Sequence, residues 1–412
     1  MSKFFITTPI YYVNSQPHLG HAYTTLAADV LARYHRLKGD KVWFLTGTDE
    51  HGAKIAAAAE LAGKNPKQFV DEISVLYRNY WDRLSISYDQ FIRTTDLEHE
   101  QSVKIFIKKL QKVGAIYESE YQGLYCVGCE KFIKPSDLIE GKCPDHGTFP
   151  QQLKERNYFF KLTDYLPRIK DLITRDEIKI QPLEKKNEAL GLITQGLEDF
   201  SLSRESVKWG IPMPGQSKQV IYVWVEALLN YISAVGYGRD AELFKAWWPA
   251  NLHLMAKDIL KFHAIYWPAL LLAAGEKLPQ NLFVHGYFTV NGVKMSKTRG
   301  NVIDVGELID KYGVDATRYL LLSAFSFEQD GDIRAEQFLE KYNADLANNL
   351  GNLVSRVSQM VEKYFEGELP AVDIEIEYDL EKIQRSIEQL QFDKAIMGIQ
   401  AIITQANQLI EK

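Results

Sequence analysis

Three groups of residues have the types and spacing that chemistry needs. In Pro17-His18-Leu19-Gly20-His21 the two histidines are three apart, so they are neighbours on one face of a helix whose first position suits Pro17. Gly20 between them leaves room for a planar group against the backbone. A helix N-terminus presents unpaired N–H groups and partial positive charge, so His18 and His21 there make a site for a phosphate in a crowded transition state. Helix-capping or surface histidines are the alternative. The second group is the loop Gly292-Val293-Lys294-Met295-Ser296-Lys297-Thr298-Arg299-Gly300. Lys294 and Lys297 are mobile point charges suited to a departing pyrophosphate, and the flanking glycines let a loop close. A solvated basic turn is the plainer reading. The third group is Cys126-x2-Cys129 followed by Cys143-x2-His146, four ligands in two tight turns that use every cysteine of the chain. Such a set predicts one closed, structural, tetrahedral Zn2+ per chain, and a knuckle that had lost its metal would be expected to have lost a ligand too.

The elements that must carry these groups follow from periodicity. An apolar strand, Phe4 to Thr8, leads into a helix from about Pro17 to Lys38 that stops at Gly39, and a second strand covers Val42 to Thr46. This strand, helix, strand unit has the length of a right-handed parallel crossover and predicts a doubly wound parallel α/β sheet, with ligands at the carboxyl ends of its strands. Residues 115 to 160 break the alternation and read as an insertion. The pattern resumes with strands at Val220 to Val225, Leu252 to Met255 and Leu282 to Tyr287, and helices at Glu226 to Val235 and Asp258 to Ala274. Helices at Asp304 to Tyr312 and Asp315 to Ala324 follow, then a long helix from Ile333 to Phe365, an acidic connector, and a helical pattern from Glu381 to Lys412. The domains expected are a catalytic domain in two halves (1–114 and 161–290), the zinc-bearing insertion (115–160), a loop and helical region (291–332), and a helical domain (333–412).

Composition narrows the class. The 412 residues are 46% hydrophobic and 25% charged, as in ordinary globular chains, and the formal charge of −6 advertises no global nucleic-acid surface. Any such contact must use a local patch. No apolar run is long enough to span a bilayer, and three clustered cysteines fit a reducing compartment, so a soluble, cytoplasmic protein with no membrane partner is expected.

An HxGH element at the first strand-to-helix turn together with a KMSKT loop after the last strand resembles the two signatures of class I aminoacyl-tRNA synthetases. Further strings resemble the methionyl-tRNA synthetases among them: Ile10 to Asn14, Thr46 to Gly52, Asn157 to Phe160, Tyr222 to Leu228, Lys257 to His263 and Phe283 to Tyr287. The resemblance covers essentially the whole chain. It implies methionine's ammonium on Asp49 and the carbonyl of Ile10, with Tyr12, Trp224, Ala227, Tyr231, Ile259 and His263 around the side chain. A thioether offers no charge to grip, so an aromatic, shape-matched cavity suits it; core packing is the alternative for Trp224 and Tyr12. The resemblance further implies ATP, with its Mg2+, on His18, Gly20, His21, Asp258 and Lys297, and Arg204 paired with an active-site carboxylate unless it is a surface ion pair. Asn352 and Arg356, four apart on a helix, match residues that help read the anticodon of methionine tRNA, initiator and elongator.

Two departures stand out: the family commonly has Asp where Glu226 stands and Gly where Ala256 stands. The sequence also stops where the family places a further anticodon-reading Trp, so the anticodon-binding helices are expected to be incomplete. The implied function is methionine-tRNA ligase, in a monomer. The alternatives are a methionine-adenylating paralogue that charges tRNA poorly, and a non-catalytic binding protein, against which the intact HxGH and KMSKT elements argue.

Overall fold

Runs buried on both faces build the central sheet. Phe5, Ile6, Thr7 and Thr8, then Phe44, Leu45, Thr46 and Thr48, then Leu252, His253, Leu254 and Met255 are all withdrawn from solvent, as strands covered on both sides require. In the computed structural model, which describes residues 2–14, 16–126, 131–144, 147–290, 293–294, 303–369 and 378–411, six strands lie side by side. Their order is Gln90–Arg93, Lys41–Asp49, Lys3–Tyr12, Leu252–Ala256, Asn281–His285 and Lys179–Gln181. The first strand pairs in parallel with both neighbours, and so do the two edge pairs. Chain order reverses between Lys3–Tyr12 and Leu252–Ala256, which makes the ends of those two strands the switch point where an α/β sheet takes ligands.

A bulge between Thr7 and Ile10 in the first strand accommodates Pro9, which has no N–H to give the ladder. Beyond it the register resumes, and Tyr12 pairs with Asp49. Gly47 is obligatory in this ladder, because a Cβ there would lie 2.0 Å from the Ile92 carbonyl oxygen. Helices Leu97–Lys112 and Trp267–Ala274 contribute Val103, Phe106, Ile107, Leu110, Trp267 and Leu270 to the same core as Phe5 and Leu45. Each such side chain contributes roughly 1.5–3 kcal/mol on burial.

In the insertion, Ile116–Cys126 pairs antiparallel with Gln151–Phe160 instead, from Ile116↔Phe160 to Tyr125↔Gln151. The expected parallel strand at Val220 to Val225 is corrected: Gln216–Ile221 is a strand, but it pairs antiparallel with Ser203–Arg204, and Val223–Leu228 is a helix. A short apolar run buried all round reads alike as strand or helix.

The chain divides into two compact units, residues 1–17, 32–81 and 87–284, and residues 18–31, 82–86 and 285–412. The second unit is mostly helical. Asp304 caps Val305–Tyr312 by accepting from the Gly306 N–H at 2.6 Å, and Asp379 caps Leu380–Glu388 by accepting from the Lys382 N–H at 2.8 Å. The single helix expected from Ile333 starts at Ala335 and runs through a π-helical stretch, Tyr342–Gly351, before Asn352–Phe365. Three asparagines and a glycine in that stretch, Asn343, Asn348, Asn349 and Gly351, lower its α-helical preference. No helix among the described residues is long and apolar enough to cross a membrane.

Candidate active site

In the first unit, aromatic side chains gather beyond the carboxyl ends of the switch-point strands. Asp49 ends the strand Lys41–Asp49, is 2% exposed, and is register partner to Tyr12. Two backbone-directed bonds fix this end: the Val13 N–H donates to the Asp49 carbonyl at 3.3 Å, and the Tyr77 hydroxyl to the Tyr12 carbonyl at 3.2 Å. Trp224 meets Tyr12 edge-on at 6.1 Å and stacks on Phe262 at 4.1 Å with 9° between planes. Tyr12, Trp224, Ile259 and Phe262 are only partly buried against the core, so their remaining faces are open to a ligand. Ala227 is buried on the same helix as Trp224.

Beneath them lies a closed polar chain. Nδ1 of His263 is 3.0 Å from the Ile259 carbonyl, and Nε2 is 2.8 Å from the Tyr231 hydroxyl. Nδ1–H must donate to the carbonyl, so Nε2 accepts from the hydroxyl. Burial lowers the pKa of His263 to about 4 and raises that of Tyr231, so both are neutral near pH 7. His253, also buried, is held well below the ordinary histidine range by desolvation and by His263; it bonds Thr7 Oγ1 at 2.7 Å. Ala256 ends the strand Leu252–Ala256, and Asp258 is exposed on the turn Lys257–Ile259 that follows.

In the second unit His18 and His21 stack at 3.7 Å with 25° between rings. His18 Nδ1 accepts from the Gly20 N–H at 3.1 Å, and His21 Nδ1 accepts a longer bond from the His18 N–H at 3.4 Å. The capping alternative is thus realised for His18. It leaves each neutral ring with its proton on Nε2, two donors side by side at the start of Leu19–Leu37. Gly20 is needed because a Cβ would press on the His18 ring at 3.1 Å. Lys294 lies on a two-residue strand, Val293–Lys294, paired with Phe288–Val290; Lys297 lies outside the described residues.

The family model for tRNA synthetases class I (M) matches residues 4–152 and 133–358, most of the chain. The chain belongs to the class I tRNA synthetases. Among curated relatives of this synthetase family, the methionine–tRNA ligase of Caldanaerobacter subterraneus subsp. tengcongensis is 46% identical over 99% of this chain and 66% of its own length. That of Clostridium acetobutylicum is 47% identical over 100% of this chain and 66% of its own. The chain therefore spans about 66% of the length of those relatives. Among solved structures, Mycobacterium tuberculosis methionyl-tRNA synthetase in complex with methionyl-adenylate superposes with a TM-score of 0.95 at 38% identity, covering 99% of this chain and 83% of that one.

Other synthetase residues singled out by sequence have plain surroundings. Arg204 is 4% exposed, not a surface residue; it donates to the carbonyls of Ser201 and Ser203 and to Ser201 Oγ, and lies 4.1 Å over the Tyr222 ring. Cys126 and Cys143 are both 1% exposed in one small cluster with Ile133. The chain doubles back at Cys143, whose carbonyl accepts from the Gly147 N–H at 2.7 Å and whose N–H donates to Thr148 at 2.9 Å. Two buried thiols in one cluster, one at a strand end and one at a turn, fit a metal knuckle; Cys129 and His146 lie outside the described residues. Asn352 is exposed at the start of its helix, and Arg356, one turn on, pairs with Glu411 at 3.4 Å.

Sequence reasoning missed Phe262, His253 and His99. Phe262 was legible three residues after Ile259, on the same helical face. His253 sits inside a buried strand and gave no signal.

Proposed function

We propose that this chain activates L-methionine with ATP and transfers the methionyl group to the 3′ end of methionine tRNA, initiator and elongator. The observation that carries this reading is the Tyr12–Trp224–Phe262 aromatic group at the strand ends that also hold the buried carboxylate of Asp49, charge at one end and polarizable rings at the other. The methionine–tRNA ligases it resembles over nearly its full length support it.

In the first step a methionine carboxylate oxygen, already ionised, attacks the α-phosphorus of ATP. A carboxylate–phosphorus bond forms, the α–β anhydride bond breaks, and its electrons leave on pyrophosphate. Asp49 and the Ile10 carbonyl take the ammonium, and Tyr12, Trp224, Ala227, Tyr231, Ile259 and His263 enclose the thioether. The neutral His263–Tyr231 pair puts no charge there. Two Nε2–H donors, on His18 and His21, suit phosphate oxygens as charge builds. Gly20 keeps that approach clear, Asp258 takes the ribose, and Lys294 and Lys297 neutralise the pyrophosphate. Mg2+ arriving with ATP spreads the charge of its phosphates. In the second step a terminal ribose hydroxyl of tRNA attacks the acyl carbon, the bond from that carbon to the phosphate oxygen breaks, and AMP leaves with the electron pair while the hydroxyl proton passes to its phosphate.

Cys126, Cys129, Cys143 and His146 would hold one Zn2+, which supplies a structural cross-link. Asn352 and Arg356 would contact the anticodon. We assign residues 1–114 and 161–290 to catalysis, 115–160 to the zinc-bearing insertion, 291–332 to the KMSKT region and 333–412 to tRNA binding, in a cytoplasmic monomer. Methionine-dependent exchange of pyrophosphate into ATP tests the first step and charging of methionine tRNA the second. Exchange that depends on another amino acid, or on none, overturns the reading.

A further inference from the structure

A buried carboxylate links two walls of the proposed amino-acid pocket. Glu226 is fully buried, and its oxygens accept from two imidazoles: His51 Nδ1 at 2.9 Å and His99 Nε2 at 3.0 Å. His51 lies two residues beyond Asp49 and packs against Trp209 at 5.2 Å. His99 belongs to Leu97–Lys112, and its Nδ1 is 2.8 Å from Ser233 Oγ. Three separate segments therefore meet on one carboxylate.

The placement matters because Glu226 shares the short helix Val223–Leu228 with Trp224 and Ala227. Residues two apart on a helix point roughly 200° from one another, so drawing the carboxylate inward turns Trp224 out toward Tyr12 and Phe262. The other end of the link, His51, follows directly on the strand end that holds Asp49. Burial alone would keep Glu226 protonated, but the charge of His51, followed by the hydrogen bonds from His51 and His99, holds its pKa below the ordinary carboxylate value. An ionised carboxylate without water depends on both partners. The extra methylene of Glu over Asp at this position gives it the reach to satisfy two histidines at once.

We propose that Glu226, clamped by His51 and His99, is a positioning residue that sets the spacing between Asp49 and the Trp224–Ala227 wall, and so governs affinity for the amino acid rather than the reaction with ATP. The inference rests on the reading of this pocket as the methionine site. The test is steady-state pyrophosphate exchange by the whole chain, with methionine and ATP varied separately and active sites counted, in wild type, Glu226→Gln and Glu226→Asp. Glu226→Gln keeps the shape but not the charge, and raises the KM for methionine roughly tenfold while the KM for ATP and kcat per active site stay within about twofold. Glu226→Asp gives a smaller rise. Should Glu226→Gln not fold, His99→Gln, which keeps an N–H toward the carboxylate, carries the same split in smaller measure. An unchanged methionine KM, or equal rises for methionine and ATP, overturns the positioning role while leaving the function intact. Wild-type protein without methionine-dependent exchange overturns the pocket reading, and this inference with it.

Discussion

The hydroxyl of Tyr231 lies 2.8 Å from Nε2 of His263, and both residues are at most 2% exposed. With Nδ1 committed to the Ile259 carbonyl, a proton added to this ring has to displace the tyrosine's donor from Nε2. The pair is therefore a neutral floor that resists protonation.

Stability should fall on acidification through His263. Its pKa drops from 6.5 to about 4 on burial, so between those values the unfolded chain takes a proton that the folded chain refuses. The folded state loses about 1.4 kcal/mol per pH unit in that window, on the order of 3 kcal/mol in all, and the full contribution returns above the upper value. His51 runs the opposite way: burial opposes its charge, but Glu226 outweighs burial and raises its pKa, so its contribution is lost as pH rises through the folded value. The His263 share is thus isolated by comparing urea unfolding of wild type and His263→Gln at pH 7 and pH 5. Equal pH dependence in both proteins contradicts it.

Trp224→Ala removes the ring stacked on Phe262. Loss of that wall should weaken methionine binding by about tenfold to a hundredfold, from roughly 1.5–3 kcal/mol of apolar and sulfur–aromatic contact. Methionine titration followed by equilibrium dialysis reads this directly, and a change under twofold would return Trp224 to simple core packing.

Lys297→Ala should slow adenylate formation strongly while methionine affinity stays nearly intact, because charge on pyrophosphate develops only in the transition state. Single-turnover formation of the adenylate separates the two. An equal loss of methionine binding would put the loop in another role.

Purified protein should contain about one Zn2+ per chain, and Cys126→Ser should lose it. Elemental analysis checks the first statement and thiol reactivity of Cys143 the second; folded wild-type protein with no zinc and all three thiols free to react refutes the site.

Arg356→Ala should reduce charging of methionine tRNA by about tenfold, the scale of one charged contact to a base or phosphate. The comparison is with a tRNA whose anticodon is swapped. Equal loss on both substrates would make Arg356 a backbone contact, and no loss would leave it only the partner of Glu411.

The strands at residues 4–8, 42–46 and 252–255 were legible because burial on both faces forces unbroken apolar runs. Edge strands Gln90–Arg93 and Lys179–Gln181 were not, since a few residues with polar neighbours carry no period. Of the candidate site, the pairing of His18 with His21 was readable from their spacing: the rings stack, although the helix expected from Pro17 begins only at Leu19. His99 escaped because its partner Glu226 is 127 residues away, and nothing local marks a histidine near a helix start as part of a buried clamp. Helix capping by these histidines was open as an alternative, and spacing alone could not say that His18 would accept from the Gly20 N–H while its ring stacks on His21.

The first strand's partner on one side arrives late: Ile6 pairs with Leu252, and Thr7 bonds His253 across 246 residues. A ribosome adding roughly 5–20 residues per second needs on the order of 10 to 50 s to supply it. For that time Phe4, Phe5 and Ile6 present an open, apolar strand edge of the kind that nascent chains lose to aggregation. The yield of folded chain should therefore depend on the pace of synthesis and on holdase chaperones at the tunnel exit, even where the finished sheet is stable.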